Sequence, residues 1–200
     1  MVMSERATFP LAARLRTRDG APLGELFSFM SGLYFRGKLA YARAFARPAD
    51  PLSEISGAGV FIITPSAGLR TPETPVTLAG IRGFARVDVA PDNPGYRRPL
   101  ERSARALLEA VGPDCDVVLL GSIASGKYVE VLLPIFGDRL LFPTSFVGRG
   151  DMSRGGLMLR RVADGIELDY VTLAGAVRHG QRPLKLEPLR HAARQAPDRR

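Results

Sequence analysis

Asp116-Val117-Val118-Leu119-Leu120-Gly121-Ser122-Ile123-Ala124-Ser125-Gly126-Lys127-Tyr128 runs from a short apolar stretch through a glycine turn into Tyr128-Val129-Glu130-Val131-Leu132-Leu133. The first part is a buried strand by its β-branched and aliphatic content, and the last is apolar nearly all round, as in a helix packed between other elements. Strand, glycine turn, helix is the order in which a phosphate-binding loop is built. The pattern departs from a Walker loop at one position. Magnesium is held there by a Ser or Thr hydroxyl directly after the lysine, and Tyr128 stands in that place with a phenol too far from the backbone to substitute.

Working outward, similar segments recur. Glu25-Leu26-Phe27-Ser28-Phe29-Met30 is short and aromatic and precedes Ser31-Gly32, so it reads as a strand ended by a breaker pair. Phe35, Leu39, Ala42 and Phe45 then recur at helical spacing, up to Pro48. Gly59-Val60-Phe61-Ile62-Ile63-Thr64 has no polar alternation and suits a central strand covered on both faces. Leu78, Ile81 and Phe84 fit one or two helical turns, and Val87-Asp88-Val89 alternates like an edge strand. Tyr96 to Val111 carries Leu100, Ala104, Leu107, Leu108 and Val111 on one helical face and ends at Gly112-Pro113. Asp151 is a helix cap ahead of Met152 to Ala163, Gly165 is its stop, and Ile166 to Val171 alternates as a half-exposed strand. Gly155 and Gly156 each weaken that helix by about 1 kcal/mol relative to alanine, which implies close packing or a ligand contact there.

Alternating strands and helices predict a three-layer α/β, Rossmann-like fold with a mostly parallel central sheet and helices on both faces. Residues 21–182 form the expected single domain. Residues 1–20 are a basic, partly disordered N-terminal segment, and 183–200 a basic disordered tail. In such a fold ligands bind beyond the carboxyl ends of the strands. The turns at that edge are Ser31 to Lys38, Thr64 to Leu69, Gly121 to Tyr128 and Ala174 to Gly180. Ser31, Lys38, Ser66, Gly121, Ser122, Gly126, Lys127, Arg178 and His179 are therefore the candidate ligand-binding residues. Lys38 and Lys127 would clamp an anion, and Gly121, Ser122 and Gly126 would form its backbone cradle. The plainer alternative is that βα turns need Gly and Ser for geometry, with lysines reaching out to water.

The net charge of +8 points to a second class of partner, but it is unevenly spread. Residues 178–200 hold seven basic and two acidic residues, residues 1–20 hold four and two, and the span between is almost neutral. Basic ends attract nucleic acid by counterion release and also serve as solvated tails. The leading expectation is a domain for a small phosphorylated or nucleoside-type ligand, a hydrolase or transferase being open. The alternative is a nucleic-acid accessory protein that binds through its tails. No reaction or cofactor follows from these residues.

Other chemistries are poorly served. Thr64-Pro65-Ser66-Ala67-Gly68 sits at a strand end like a nucleophile elbow, but Thr64 replaces its first glycine and Pro65 constrains the turn. His179 and His191 match no usual metal-ligand spacing, and the single Cys115 excludes both an intrachain disulfide and a thiolate-rich metal site. No apolar run is long enough for a membrane span, and residues 1–20 lack a signal-type apolar core, so a cytoplasmic protein is expected.

Phe29-Met30-Ser31-Gly32-Leu33-Tyr34-Phe35-Arg36-Gly37-Lys38, Ile62 to Leu69, the Gly121 to Tyr128 turn and Arg149-Gly150-Asp151-Met152-Ser153-Arg154-Gly155-Gly156 together resemble a family of small uncharacterised bacterial proteins. The resemblance covers about residues 25–182. It implies a compact α/β domain and carries no established activity.

Overall fold

The computed structural model describes residues 2–4 and 6–186. Helices dominate: α1 (Pro10–Leu15), α2 (Leu23–Phe45), α3 (Leu78–Phe84), α4 (Pro94–Val111), α5 (Gly126–Phe136) and α6 (Asp151–Asp164). The strands are short: β1 (Ala21–Pro22), β2 (Ile62–Thr64), β3 (Gly68–Arg70), β4 (Pro75–Val76), β5 (Val117–Val118), β6 (Leu140–Pro143) and β7 (Tyr170–Thr172).

The expected three-layer Rossmann-like fold is not what forms. Strand makes up only about 10% of the chain, against 46% helix. The strands fall into two antiparallel pairs, β1–β4 and β2–β3, and one three-stranded sheet in the order β5-β6-β7. Residues 116–133 do form part of a parallel crossover, because β5 pairs parallel with β6 across α5. β7 then adds antiparallel to β6, and the sheet goes no further.

Two misread segments account for the missing sheet. Glu25 to Met30 is helical, part of a 23-residue α2 in which Gly32 (φ 63°, ψ −144°) makes a kink. Leu23, Leu26 and Phe27 have helical spacing, but a six-residue apolar run is too short for periodicity to separate helix from strand. Ser31-Gly32 does break the helix locally, and tertiary packing carries the chain on as helix beyond it. Gly59 to Thr64 contributes only the three residues of β2, which turn back at once into β3. This strand is half of a hairpin, not the centre of a sheet. Val87 to Val89 forms no strand, and of Ile166 to Val171 only the last two residues enter β7.

The helical expectations fare better. α4 buries Tyr96, Leu100, Ala104 and Leu107 and ends at Gly112, whose φ is 71°. Thr77 caps α3 by accepting from the Gly80 amide. α6 ends at Gly165 in the left-handed conformation, although its N-cap is Gly150, with Asp151 in the first turn. The N-terminal segment sends α1 into the core, where Leu11, Ala12 and Leu15 pack in one cluster with Leu23, Leu26, Val76 and Ile81. The expected basic tail lies outside the described residues from 187 onward.

A second cluster joins α4, α5 and β6. The third lies between α2 and α6, around Tyr41, Phe146, Leu157, Met158 and Leu168. α2 and α6 cross in backbone contact at Gly37 and Gly155: a Cβ on Gly37 would meet the Gly155 carbonyl oxygen at 2.6 Å, and one on Gly155 would meet the Tyr34 Cα at 2.8 Å. The close packing implied by Gly155 is therefore present, and it brings Tyr34 and Lys38 alongside the first turn of α6.

Candidate functional site

The site is assembled where this crossing meets the end of β5. Tyr34 and Lys38 lie one helical turn apart on α2. The Tyr34 hydroxyl donates to the Leu120 carbonyl at 3.1 Å, which ties α2 to the chain leaving β5. Lys127 is in the first turn of α5, and that turn is anchored from α4 by the buried Tyr96, whose hydroxyl donates to the Lys127 carbonyl at 2.8 Å. Asp151 and Arg154 belong to the first turn of α6.

Lys38 is the centre of the electrostatics. Burial lowers its pKa from the ordinary lysine value, Asp151 pushes it back up, and Lys127 and Arg154 are near enough to lower it further. Three cations thus share one neighbourhood. The carboxylate that acts on Lys38 is a weak counterweight, since Asp151 has a side chain 64% exposed and reaches Arg154 Nη1 only at 3.7 Å, and a second carboxylate, that of Glu130, folds back over Gly126 beside Lys127. The ammonium groups rest on aromatic faces: Lys38 Nζ is 4.3 Å from the Tyr34 ring centroid, and Lys127 Nζ is 5.1 Å from that of Tyr128.

Arg154 is 6% exposed, unusual for a guanidinium. It donates to the Phe146 carbonyl at 3.0 Å and lies beside the Tyr34 hydroxyl, while its Nε has no partner. Burial raises the Tyr34 pKa despite Arg154 beside it. Ser125, the N-cap residue of α5, makes no side-chain cap bond, and its Oγ is buried without a partner. An anion between the two helix starts would meet backbone N–H groups, helix-dipole ends and three cationic side chains.

The nine residues expected from the sequence are divided by this geometry. Lys38 and Lys127 come together, and Gly121, Ser122 and Gly126 lie on the chain that joins β5 to Lys127. Gly121 packs against the Tyr128 ring at 3.1 Å from its would-be Cβ, so the tyrosine that spoils the Walker pattern closes over the loop. Ser31 is exposed within α2, on the far side of the Gly32 kink from Lys38. Ser66 lies in the hairpin turn between β2 and β3, a pair that packs on α4 where the Leu69 amide donates to Ser103 Oγ. Arg178 and His179 are exposed on the chain after β7. The four turns do not share a sheet edge: Ser31 to Lys38 is inside a helix, Thr64 to Leu69 is a hairpin, and only Gly121 to Tyr128 links a strand to a helix.

Sequence reasoning missed Tyr34 and Arg154. An arginine in a helix reads as solvated, and the only signal against that was the glycine pair following Arg154. Compared with protein-family models, with curated proteins and with solved structures, the chain matches none of them.

Beside the cations lies a cavity of about 310 Å³, lined largely by apolar side chains. Lys38, Gly121 and Tyr128 are in its wall at this end. Tyr41, Tyr170 and Glu167 also line it, joined in a relay in which the Leu168 amide donates to the Tyr41 hydroxyl (2.7 Å), Tyr41 bonds Tyr170 (2.6 Å), and Tyr170 donates to Glu167 (3.0 Å). Glu167 in turn pairs with Arg47 at 2.8 Å. Burial and these bonds raise the Tyr170 pKa far above that of a free phenol.

Proposed function

We propose that the chain binds a small phosphorylated ligand, with the phosphate held by Lys38, Lys127 and Arg154 at the starts of α5 and α6. The observation that carries this reading is the clustering of Lys38, Lys127 and Arg154, the last of them buried and the lysines half-buried. Withdrawing charge from water without compensation is costly, so partly buried positive charge is a stabilising environment for an anion that neutralises it. The Gly121 to Tyr128 turn supports the same reading by presenting its backbone at a strand–helix junction. Tyr128 in place of the magnesium-binding hydroxyl argues for binding without Walker-type nucleotide hydrolysis.

Titration calorimetry with inorganic phosphate, pyrophosphate and nucleotides tests it. Binding is expected to weaken at least tenfold in Lys127→Ala and in Arg154→Met, and to persist when residues 187–200 are removed. No heat from any of these anions, with the variants indistinguishable from the parent chain, would refute it. The nucleic-acid alternative predicts the reverse pattern: affinity for generic duplex that falls steeply between about 50 and 200 mM salt and disappears with the tail.

A further inference from the structure

The cavity shares Lys38, Gly121 and Tyr128 with the surroundings of the cationic cluster, so whatever occupies it is continuous with the bound anion. Its wall mixes aliphatic side chains such as Leu39, Leu119 and Leu132 with aromatic ones such as Phe35, Phe61 and Phe136. Of its polar lining groups, Tyr41, Tyr170, Glu167 and Arg47 satisfy one another through the relay, while the Ser56 Oγ is buried without a partner. Lys38 is the one member of the cationic cluster in the cavity wall, and through it the cavity adjoins Lys127 and Arg154, whose Nε is without a partner. Such a chamber suits a molecule with one charged end and an apolar remainder.

From this we infer that the phosphorylated ligand is a single-chain amphiphile: its phosphate sits at Lys38, Lys127 and Arg154, and its aliphatic chain fills the cavity. The inference rests on the phosphate-binding reading and specifies the rest of that ligand. A nucleobase, with several ring donors and acceptors to satisfy, finds few partners in a wall that is mostly apolar, aromatic side chains such as Phe35, Phe61 and Phe136 included. The volume is at the lower end of small-molecule sites, which suits one chain of medium length and not a two-chain lipid.

Calorimetry with a series of monoalkyl phosphates, below their micelle-forming concentrations, is the test. Affinity should tighten about fourfold per added methylene and then level off when the cavity is full. Ala42→Leu, which fills part of the wall from α2, should shorten the chain length at which the plateau begins while leaving inorganic phosphate binding unchanged. Ala42→Met provides a second, more flexible filler should leucine disturb folding. Alkanols of matching length should bind far more weakly than the alkyl phosphates. Phosphate binding with no dependence on chain length, or a nucleoside monophosphate bound more tightly than every alkyl phosphate, would overturn the amphiphile while leaving the anion site standing. Alkanols binding as tightly as alkyl phosphates would overturn the link between cavity and cations.

Discussion

Gly155 and Gly156 are adjacent residues of one helix, and replacing each by alanine separates tertiary contact from helix propensity. In both variants the helix gains about 1 kcal/mol, because alanine loses less backbone entropy than glycine. At position 156 the new methyl meets only Leu186 Cδ1, at 3.7 Å, an ordinary contact. Gly156→Ala should therefore stabilise the protein by about 0.5–1 kcal/mol. At position 155 the methyl would lie 2.8 Å from the Tyr34 Cα and 2.9 Å from the Leu33 carbonyl oxygen, both backbone atoms of α2. Carbon atoms pack best at about 3.5–4.0 Å, so the helices must part by roughly an ångström. Overpacking of this kind costs about 1–3 kcal/mol. Because the propensity gain is common to both variants, their difference isolates the crossing. Gly155→Ala should be the less stable by about 1–3 kcal/mol, or roughly 2–12 °C in Tm for a chain of this size. Urea unfolding monitored by circular dichroism reads this gap directly. In Gly37→Ala/Gly155→Ala the second substitution should cost less than the first, since the helices are already apart. Equal stability of the two single variants, within about 0.5 kcal/mol, would mean that α2 and α6 do not meet through these backbones, and the positioning of Lys38 beside Arg154 would lose its basis.

Lys38→Met should raise stability by about 1 kcal/mol, or roughly 2–4 °C in Tm, while abolishing anion binding, because it removes a half-buried ammonium disfavoured by burial and two neighbouring cations. The pH dependence has a definite sign. Lys38 has a folded pKa below its ordinary value of about 10.5, so between the two the unfolded chain binds more protons, wild-type stability rises with pH, and the gap to Lys38→Met narrows; a gap that widened would refute this assignment. The tyrosines run the other way: Tyr34, Tyr41, Tyr96 and Tyr170 all have raised pKa values, so their stabilising contribution is present below about pH 10 and is lost above it. Absorbance at the tyrosinate band should show these four ionising only as the fold opens, and free titration of all of them near pH 10 in the folded protein would contradict their burial. Gly32→Ala should cost about 1–3 kcal/mol although no atom lies within 4 Å of the added Cβ, because φ 63° with ψ −144° is open essentially only to glycine; Tm measurement against Gly156→Ala checks it.

Local features were legible without coordinates. The stops at Gly112 and Gly165, the amphipathic face of α4, and the strand–turn–helix order of residues 116–133 rest on interactions within a few residues, which composition and spacing record. Lys127 was singled out on the same ground. What the sequence alone determined was thus the helices α3 to α6, one strand–turn–helix unit and one glycine turn with a lysine, and not the extent of the sheet. Only tertiary structure decided that Glu25 to Met30 is helix and that β2 folds back into a hairpin, since short apolar runs are compatible with either state until partners cover them. It also decided the site. Tyr34 and Lys38 lie more than eighty positions from Lys127 and still further from Arg154, and they meet because Gly37 and Gly155 let two helices touch backbone to backbone. No window of sequence contains that contact, and a buried arginine looks like a solvated one until the helix against it is known.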